Sequence, residues 1–76
     1  MEGLRILIVD DEEELVSALV ERLRLRGFQA SGVVRGEDAL SFLEEEECDV
    51  VLLDVKMPGL GGLEVIRRIK ADHPGL

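Results

Sequence analysis

The 76-residue sequence has no tryptophan or tyrosine, and Phe28 and Phe42 are its only aromatic residues. The core must therefore be packed mainly with aliphatic side chains, because 46% of the residues are hydrophobic. Cys48 is the single cysteine, which excludes an internal disulfide and any metal or redox site built on a cysteine pair. We expect its thiol to be buried and unreactive.

Long uncharged apolar runs are also missing. The most apolar N-terminal segment, residues 4–9, contains Arg5 and is followed by Asp10. We therefore expect neither a signal peptide nor a membrane span, and we expect a cytoplasmic location. Basic residues are few, with nine against 17 acidic ones and a net charge of −8 at pH 7. This charge repels phosphate backbones, so we expect no nucleic acid binding by this segment.

Short apolar runs and amphipathic segments alternate along the chain. Three segments have the composition of strands: residues 4–9, 28–34 and 49–53. Three others place apolar residues at helical spacing: residues 12–26, 36–47 and 62–72. This β-α-β-α-β-α order predicts an α/β fold, a parallel sheet with helices on its faces, within a single domain over residues 1–76.

Acidic residues follow two of the predicted strands. Asp10 and Asp11 come directly after the first strand, and Asp54 comes directly after the third. Ligands of open α/β sheets bind beyond the carboxyl ends of the strands, so a 2-1-3 strand order would bring these carboxylates into one pocket. Crowded carboxylates favour a cation, and Mg²⁺ is a hard ion that takes oxygen ligands. A carboxylate in such a site can attack phosphorus and form an acyl phosphate.

Asp10 and Asp11 taken alone have a structural interpretation as well. Asp10 would cap the first helix, and residues 11–14 would favour the positive end of the helix dipole. Asp54 at the end of a second buried strand, followed by Met57 and Pro58, favours a functional site instead.

Residues 8–12 (IVDDE), 52–59 (LLDVKMPG) and 62–64 (GLE) together resemble a response regulator receiver domain of two-component signalling, similar to the chemotaxis receivers. The resemblance implies a flavodoxin-like three-layer sandwich with strand order 2-1-3. Gly61 departs from the family, which commonly has Asp there. Because the family continues through two further βα units, we expect this chain to be the N-terminal part of a receiver, with the fourth and fifth units missing.

The resemblance also implies a chemical role for each acid. Asp54 would be phosphorylated by a sensor histidine kinase or a small phosphodonor. Mg²⁺ would bind the side chains of Asp11 and Asp54, the backbone carbonyl of Lys56 and, through water, Asp10. The loop that modulates the site would contain Lys56, Met57 and Pro58. The chain would then be a phosphoacceptor regulatory domain and not an enzyme, with self-phosphorylation and autodephosphorylation as its only chemistry.

In the family, a hydroxyl residue and a lysine of the later units contact the phosphoryl group, so we expect phosphotransfer to this form to be slow or undetectable.

Two alternative functions remain open at this stage. The chain could instead be a non-phosphorylated module that only dimerises. A phosphohydrolase of the haloacid dehalogenase type is disfavoured, because its DxDx spacing is not that of Asp10 and Asp11.

Self-association is a separate expectation. The outer edge of the third strand would be open, and we expect a symmetric dimer, joined by pairing of the two third strands or by exchange of helices. Leu15, Leu19 and Leu23 of the first helix form either part of the core or a further exposed apolar patch.

Overall fold

Strands and helices alternate along the residues that the computed structural model describes, which are 3–54 and 62–76. The elements are β1 (Arg5–Val9), α1 (Glu13–Leu25), β2 (Gln29–Val33), α2 (Gly36–Glu45), β3 (Val50–Leu53) and α3 (Gly62–Asp72). Several elements are one or two residues shorter than the predicted ranges. The largest difference is at the end of α2, predicted to reach residue 47, because Glu46 already has an extended backbone.

The three strands form one parallel sheet in the order β2-β1-β3. This confirms the α/β sandwich and the 2-1-3 order. The central strand β1 is almost fully buried from Ile6 to Val9, as expected of a strand that helices cover on both faces. Its last residue, Val9, is paired with Val33 of β2 and with Leu53 of β3. The carboxyl ends of all three strands therefore lie at the same edge of the sheet.

Helix α1 begins and ends as its charges predict. Glu13 and Glu14 lie in its first turn, and Arg22 and Arg24 lie in its last turn, so both ends complement the helix dipole. Gly27 follows the helix with φ of 93°, in the left-handed region that favours glycine, and its N–H donates to the carbonyl of Arg24. The chain can therefore reverse direction at once and enter β2.

Side chains of β1 alternate between two hydrophobic clusters, one on each face of the sheet. On one face, Ile6 and Ile8 pack with Val16 of α1. On the other face lies the larger cluster with α2 and α3, made of Leu7, Val9, Ala39, Leu43, Val65 and Ile69. The two faces together make a three-layer arrangement with β1 at its centre.

Gly32 of β2 lies directly beneath α1. A Cβ atom at this position would overlap Val16 Cγ1 and would approach Val20 Cγ2 to 3.0 Å. Because Val16 is itself buried, the helix can lie this close to the sheet only where the strand carries no side chain.

Part of β3 stays uncovered on the α1 side. Val50 and Leu52 pair with Ile6 and Ile8 and share their face, yet they are 36% and 50% exposed. Leu15 of α1 is 41% exposed, whereas the other two leucines of the predicted patch, Leu19 and Leu23, pack against the cluster around Val16.

Among the described residues, no helix has the length and hydropathy needed to span a bilayer.

Candidate functional site

The carboxyl ends of β1 and β3 place two aspartates side by side. Val9 and Leu53 are paired, so the next residues, Asp10 and Asp54, leave the sheet at the same level. The Asp54 N–H donates to the carbonyl of Val9 at 2.9 Å, and the Asp10 N–H donates to the carbonyl of Val33 at 3.3 Å. Backbone hydrogen bonds thus hold both residues at the edge of the sheet.

Three carboxylates converge at this edge. One carboxylate oxygen each from Asp10, Asp11 and Asp54 lie within 4.8 Å of one another. Asp11 is exposed, and the other two are half-buried. The structure therefore brings together the three acids that sequence reasoning selected from the ends of two separate strands.

Asp10 has a structural contact in addition. Its Oδ1 accepts a hydrogen bond from the N–H of Glu12 at 3.0 Å, which closes the turn between β1 and α1. The helix itself begins at Glu13, and the side chain of its N-cap residue, Glu12, makes no capping hydrogen bond. Asp10 thus stabilises the entry to the helix without capping it, and it also faces the other two acids.

The donor set suits a hard divalent cation. All three groups offer oxygen, the ligand that Mg²⁺ prefers. Oxygens bound to one Mg²⁺ at about 2.0–2.1 Å are at most about 4.2 Å apart, which is close to the spacing of the carboxylate oxygens here. The predicted carbonyl ligand of Lys56, together with Met57 and Pro58, lies outside the described residues.

The opposite end of the sheet holds an acid in a different setting, which sequence reasoning missed. The Arg5 guanidinium donates to both carboxylate oxygens of Asp49, from Nε and from Nη2 at 3.1 Å each. Nη1 donates to Glu47 at 2.6 Å, and the backbone N–H of Arg5 donates to Asp49 Oδ2 at 2.8 Å. A signal was present, because Arg5 and Asp49 lie at the starts of two strands that the 2-1-3 order makes neighbours.

Electrostatics follow from this pairing. The hydrogen bonds from Arg5 lower the pKa of the Asp49 carboxyl below its ordinary value. The same contacts, from Asp49 first and Glu47 second, raise the pKa of the Arg5 guanidinium. Both residues therefore stay charged throughout the neutral range.

Cys48 lies next to this pair. It is half-buried, and its Sγ donates to the carbonyl of Val50 at 3.0 Å. Burial raises the pKa of the thiol, so it stays protonated and poorly nucleophilic at neutral pH.

Comparison with known proteins identifies the family. A family model described as the response regulator receiver domain matches residues 6–76. The sensory transduction protein RegX3 of Mycolicibacterium smegmatis is 42% identical over 66 residues, which cover 87% of this chain and 29% of the relative. The chain thus spans less than a third of the length of that relative.

Solved structures agree in fold. The response regulator protein TrrA of Thermotoga maritima, in complex with Mg²⁺-BeF, matches with a TM-score of 0.86 and 38% identity, covering 93% of this chain and 62% of that one. TrrA in complex with histidine kinase ThkA matches with a TM-score of 0.85 and 38% identity, covering 93% and 61%.

Proposed function

This chain belongs to the response regulator receiver domain family of two-component systems, and we propose that Asp54 is its phosphoryl acceptor. The observation that carries the proposal is the convergence of Asp10, Asp11 and Asp54 within 4.8 Å at the carboxyl end of the sheet. The turn that Asp10 closes with Glu12 does not require two further carboxylates within 4.8 Å of it, because like charges at this distance repel one another.

The proposed chemistry is transfer of a phosphoryl group to a carboxylate. An Asp54 oxygen attacks phosphorus, the new O–P bond forms an acyl phosphate, and the bond from phosphorus to the donor breaks. The leaving group is the histidine nitrogen of a kinase or the oxygen of a small phosphodonor. The transferring oxygens carry negative charge, so the transfer needs positive charge close to Asp54.

We propose that Mg²⁺ is the cofactor. The side chains of Asp11 and Asp54, the carbonyl of Lys56 and, through water, Asp10 would hold it. When bound, it would neutralise charge on the transferring phosphoryl oxygens. Binding of Mg²⁺-BeF by TrrA supports this assignment, and so does the oxygen-only donor set. The loop that would modulate the site contains Lys56, Met57 and Pro58.

The proposed phosphodonor is a sensor histidine kinase. TrrA, which is 38% identical to this chain, is found in complex with histidine kinase ThkA. We also propose a cytoplasmic location, since the free thiol of Cys48 suits a reducing compartment.

The direct test is to locate the acyl phosphate. The chain is incubated with a small phosphodonor and Mg²⁺ for long enough to detect slow transfer, reduced with borohydride to trap any aspartyl phosphate, and mapped by peptide mass spectrometry. We expect the trapped product at Asp54 and none in Asp54→Asn. Asp72→Asn, the same change at an exposed residue of α3, is the matched control. Trapped product elsewhere, or equal labelling of Asp54→Asn, would overturn the proposal.

A second candidate function is self-association through β3. It is supported by the exposure of Val50 and Leu52 and by the position of β3 at one end of the sheet. We propose a symmetric dimer in which the two β3 strands pair. Light scattering should give a dimer mass for the wild type and a monomer mass for Leu52→Asp, with Leu25→Asp on the exposed surface of α1 as control. A wild-type monomer with strong amide exchange protection in β3 would contradict it.

A further inference from the structure

The sequence of β3 does not define its own register. Its four residues are Val50, Val51, Leu52 and Leu53, so a shift by one residue exchanges a Val and a Leu on one face for a Val and a Leu on the other. Burial discriminates weakly between the two arrangements. Val50 and Leu52 are partly exposed on the α1 side, and Val51 and Leu53 are only half-buried on the side of α2 and α3.

Polar contacts at the start of the strand do discriminate. Asp49 is joined to Arg5 by a two-pronged side-chain contact, by the Arg5 N–H to its carboxylate, and by its own N–H to the Arg5 carbonyl at 2.9 Å. The fork of a guanidinium matches a carboxylate in one relative position only. A shift by one residue would place Cys48 or Val50 opposite Arg5, and neither has a carboxylate.

Register at this end decides the geometry at the other end. Asp54 directly follows β3, and its neighbours across the sheet are set by the pairing of Val9 with Leu53. A shift by one residue would move the Asp54 Cα by about 3.3 Å along the strand and turn its side chain to the opposite face. The cluster with Asp10 and Asp11 would then be lost.

We propose that Arg5 and Asp49 are positioning residues: they form a clamp that sets the register of β3 against β1 and thereby places Asp54 beside Asp10 and Asp11. The functional importance of the register rests on the proposed function. The register itself can be measured without assuming that function. The clamp acts from the far end of the strand and touches neither the cation nor the phosphoryl group.

The experiment compares Asp49→Asn and Arg5→Met with Val16→Ala in the 76-residue chain. Val16→Ala removes buried volume on α1, away from β3, and so lowers stability without touching the clamp. Two quantities are measured: cross-strand NOEs between Leu7 and Val51 and between Val9 and Leu53, on the face of the sheet away from Val16, and Mg²⁺ affinity by titration.

We expect both clamp variants to lose NOE intensity and to bind Mg²⁺ about two- to tenfold more weakly, as the fraction of chains in the competent register falls. Val16→Ala should keep the NOE pattern and the affinity of its folded fraction. Should a clamp variant fail to fold, Arg5→Lys, which keeps the charge but not the fork, should give the same changes at smaller amplitude.

Wild-type NOEs and affinity in Asp49→Asn and Arg5→Met would overturn the proposal, and so would equal losses in Val16→Ala. Failure of the proposed function has a different signature. The wild type would then bind no Mg²⁺ while the clamp variants still lost their NOEs.

Discussion

The neighbouring strands β1 and β3 have acidic residues at both ends of the pair, in opposite electrostatic settings. At the amino end, Asp49 faces Arg5, and the carboxylate and the guanidinium satisfy each other's hydrogen bonds. At the carboxyl end, Asp10, Asp11 and Asp54 face one another. In the first arrangement two opposite charges neutralise each other, whereas the second brings together three carboxylates whose oxygens suit a divalent cation.

This difference indicates how acids with a structural role can be distinguished from acids of a candidate ligand site in this fold. An acid at the start of a strand that meets an arginine at the start of the next strand contributes to register and stability. Acids that come together from the ends of two strands repel each other unless a cation lies between them, so their convergence points to a ligand. The following predictions test this contrast.

The largest effect is expected from amide substitution of Asp54, the proposed phosphoryl acceptor. Asp54→Asn should abolish binding of beryllofluoride in the presence of Mg²⁺, because the mimic of an acyl phosphate needs a carboxylate oxygen as its ligand. Fluorine NMR of the bound species measures this directly. The same substitution at the other end, Asp49→Asn, should only weaken binding. Equal loss of beryllofluoride binding in Asp54→Asn and Asp49→Asn would contradict the assignment of different roles to the two ends of the sheet.

A smaller effect is expected from the exposed acid of the cluster. Asp11→Asn should weaken Mg²⁺ binding, in the millimolar range for the wild type, by at least about tenfold, the usual cost of disturbing even an outer partner of a metal ligand. Titration calorimetry measures it, with Asp72→Asn as control. Equal affinities in the wild type, Asp11→Asn and Asp54→Asn would argue against a metal site.

A substitution in β2, outside both acidic sites, should change the stability of the fold without changing Mg²⁺ binding. Gly32→Ala should destabilise the fold by about 1–3 kcal/mol, because the added methyl group overlaps Val16 and forces α1 away from the sheet. The Mg²⁺ affinity of the folded protein should not change. Gly75→Ala is the matched control, since a Cβ there meets nothing within 4 Å. Urea unfolding gives the free energies, and equal stability of the two variants would contradict this packing.

The smallest effect is expected from pH at the amino end. The folded-state pKa of Asp49 is lowered, so its contribution to stability is fully present above the ordinary aspartate pKa of about 3.9 and is lost as the pH falls from there through the lowered folded-state pKa. Stability should therefore decline less steeply on acidification in Asp49→Asn than in the wild type. Thermal unfolding between about pH 2 and 7 provides the profile. A matching change in Asp11→Asn would show that the effect is not specific to the clamp.

Local sequence was sufficient for most of the fold. Helix α1 could be predicted within one residue at each end, because acids at its start, arginines near its end and Gly27 act through the nearest turns of the backbone. The acidic cluster could be predicted only with the 2-1-3 order that the resemblance to receiver domains implied, since residues that follow adjacent parallel strands share one edge. The roles of Lys56, Met57 and Pro58 stay predictions, because they lie outside the described residues.

Contacts between distant residues could not be read from local patterns. The position of Gly32 under Val16 depends on how α1 is rotated over the sheet, and the alternation in β2 does not report that rotation. Asp10 both closes a turn with Glu12 and faces two other acids. The helix-capping interpretation predicted only a local role for Asp10, and the metal-site interpretation predicted only the cluster.

The sequence by itself determined the alternating elements and the acids at the ends of two strands, because periodicity, capping and chain order are local properties. Only the tertiary structure decided that Arg5 meets Asp49 and that β3 takes the register that places Asp54 beside Asp10. The physical reason lies in β3, where Val-Val-Leu-Leu is equally apolar on both faces, so the position of the strand is defined by the partners it meets across the sheet.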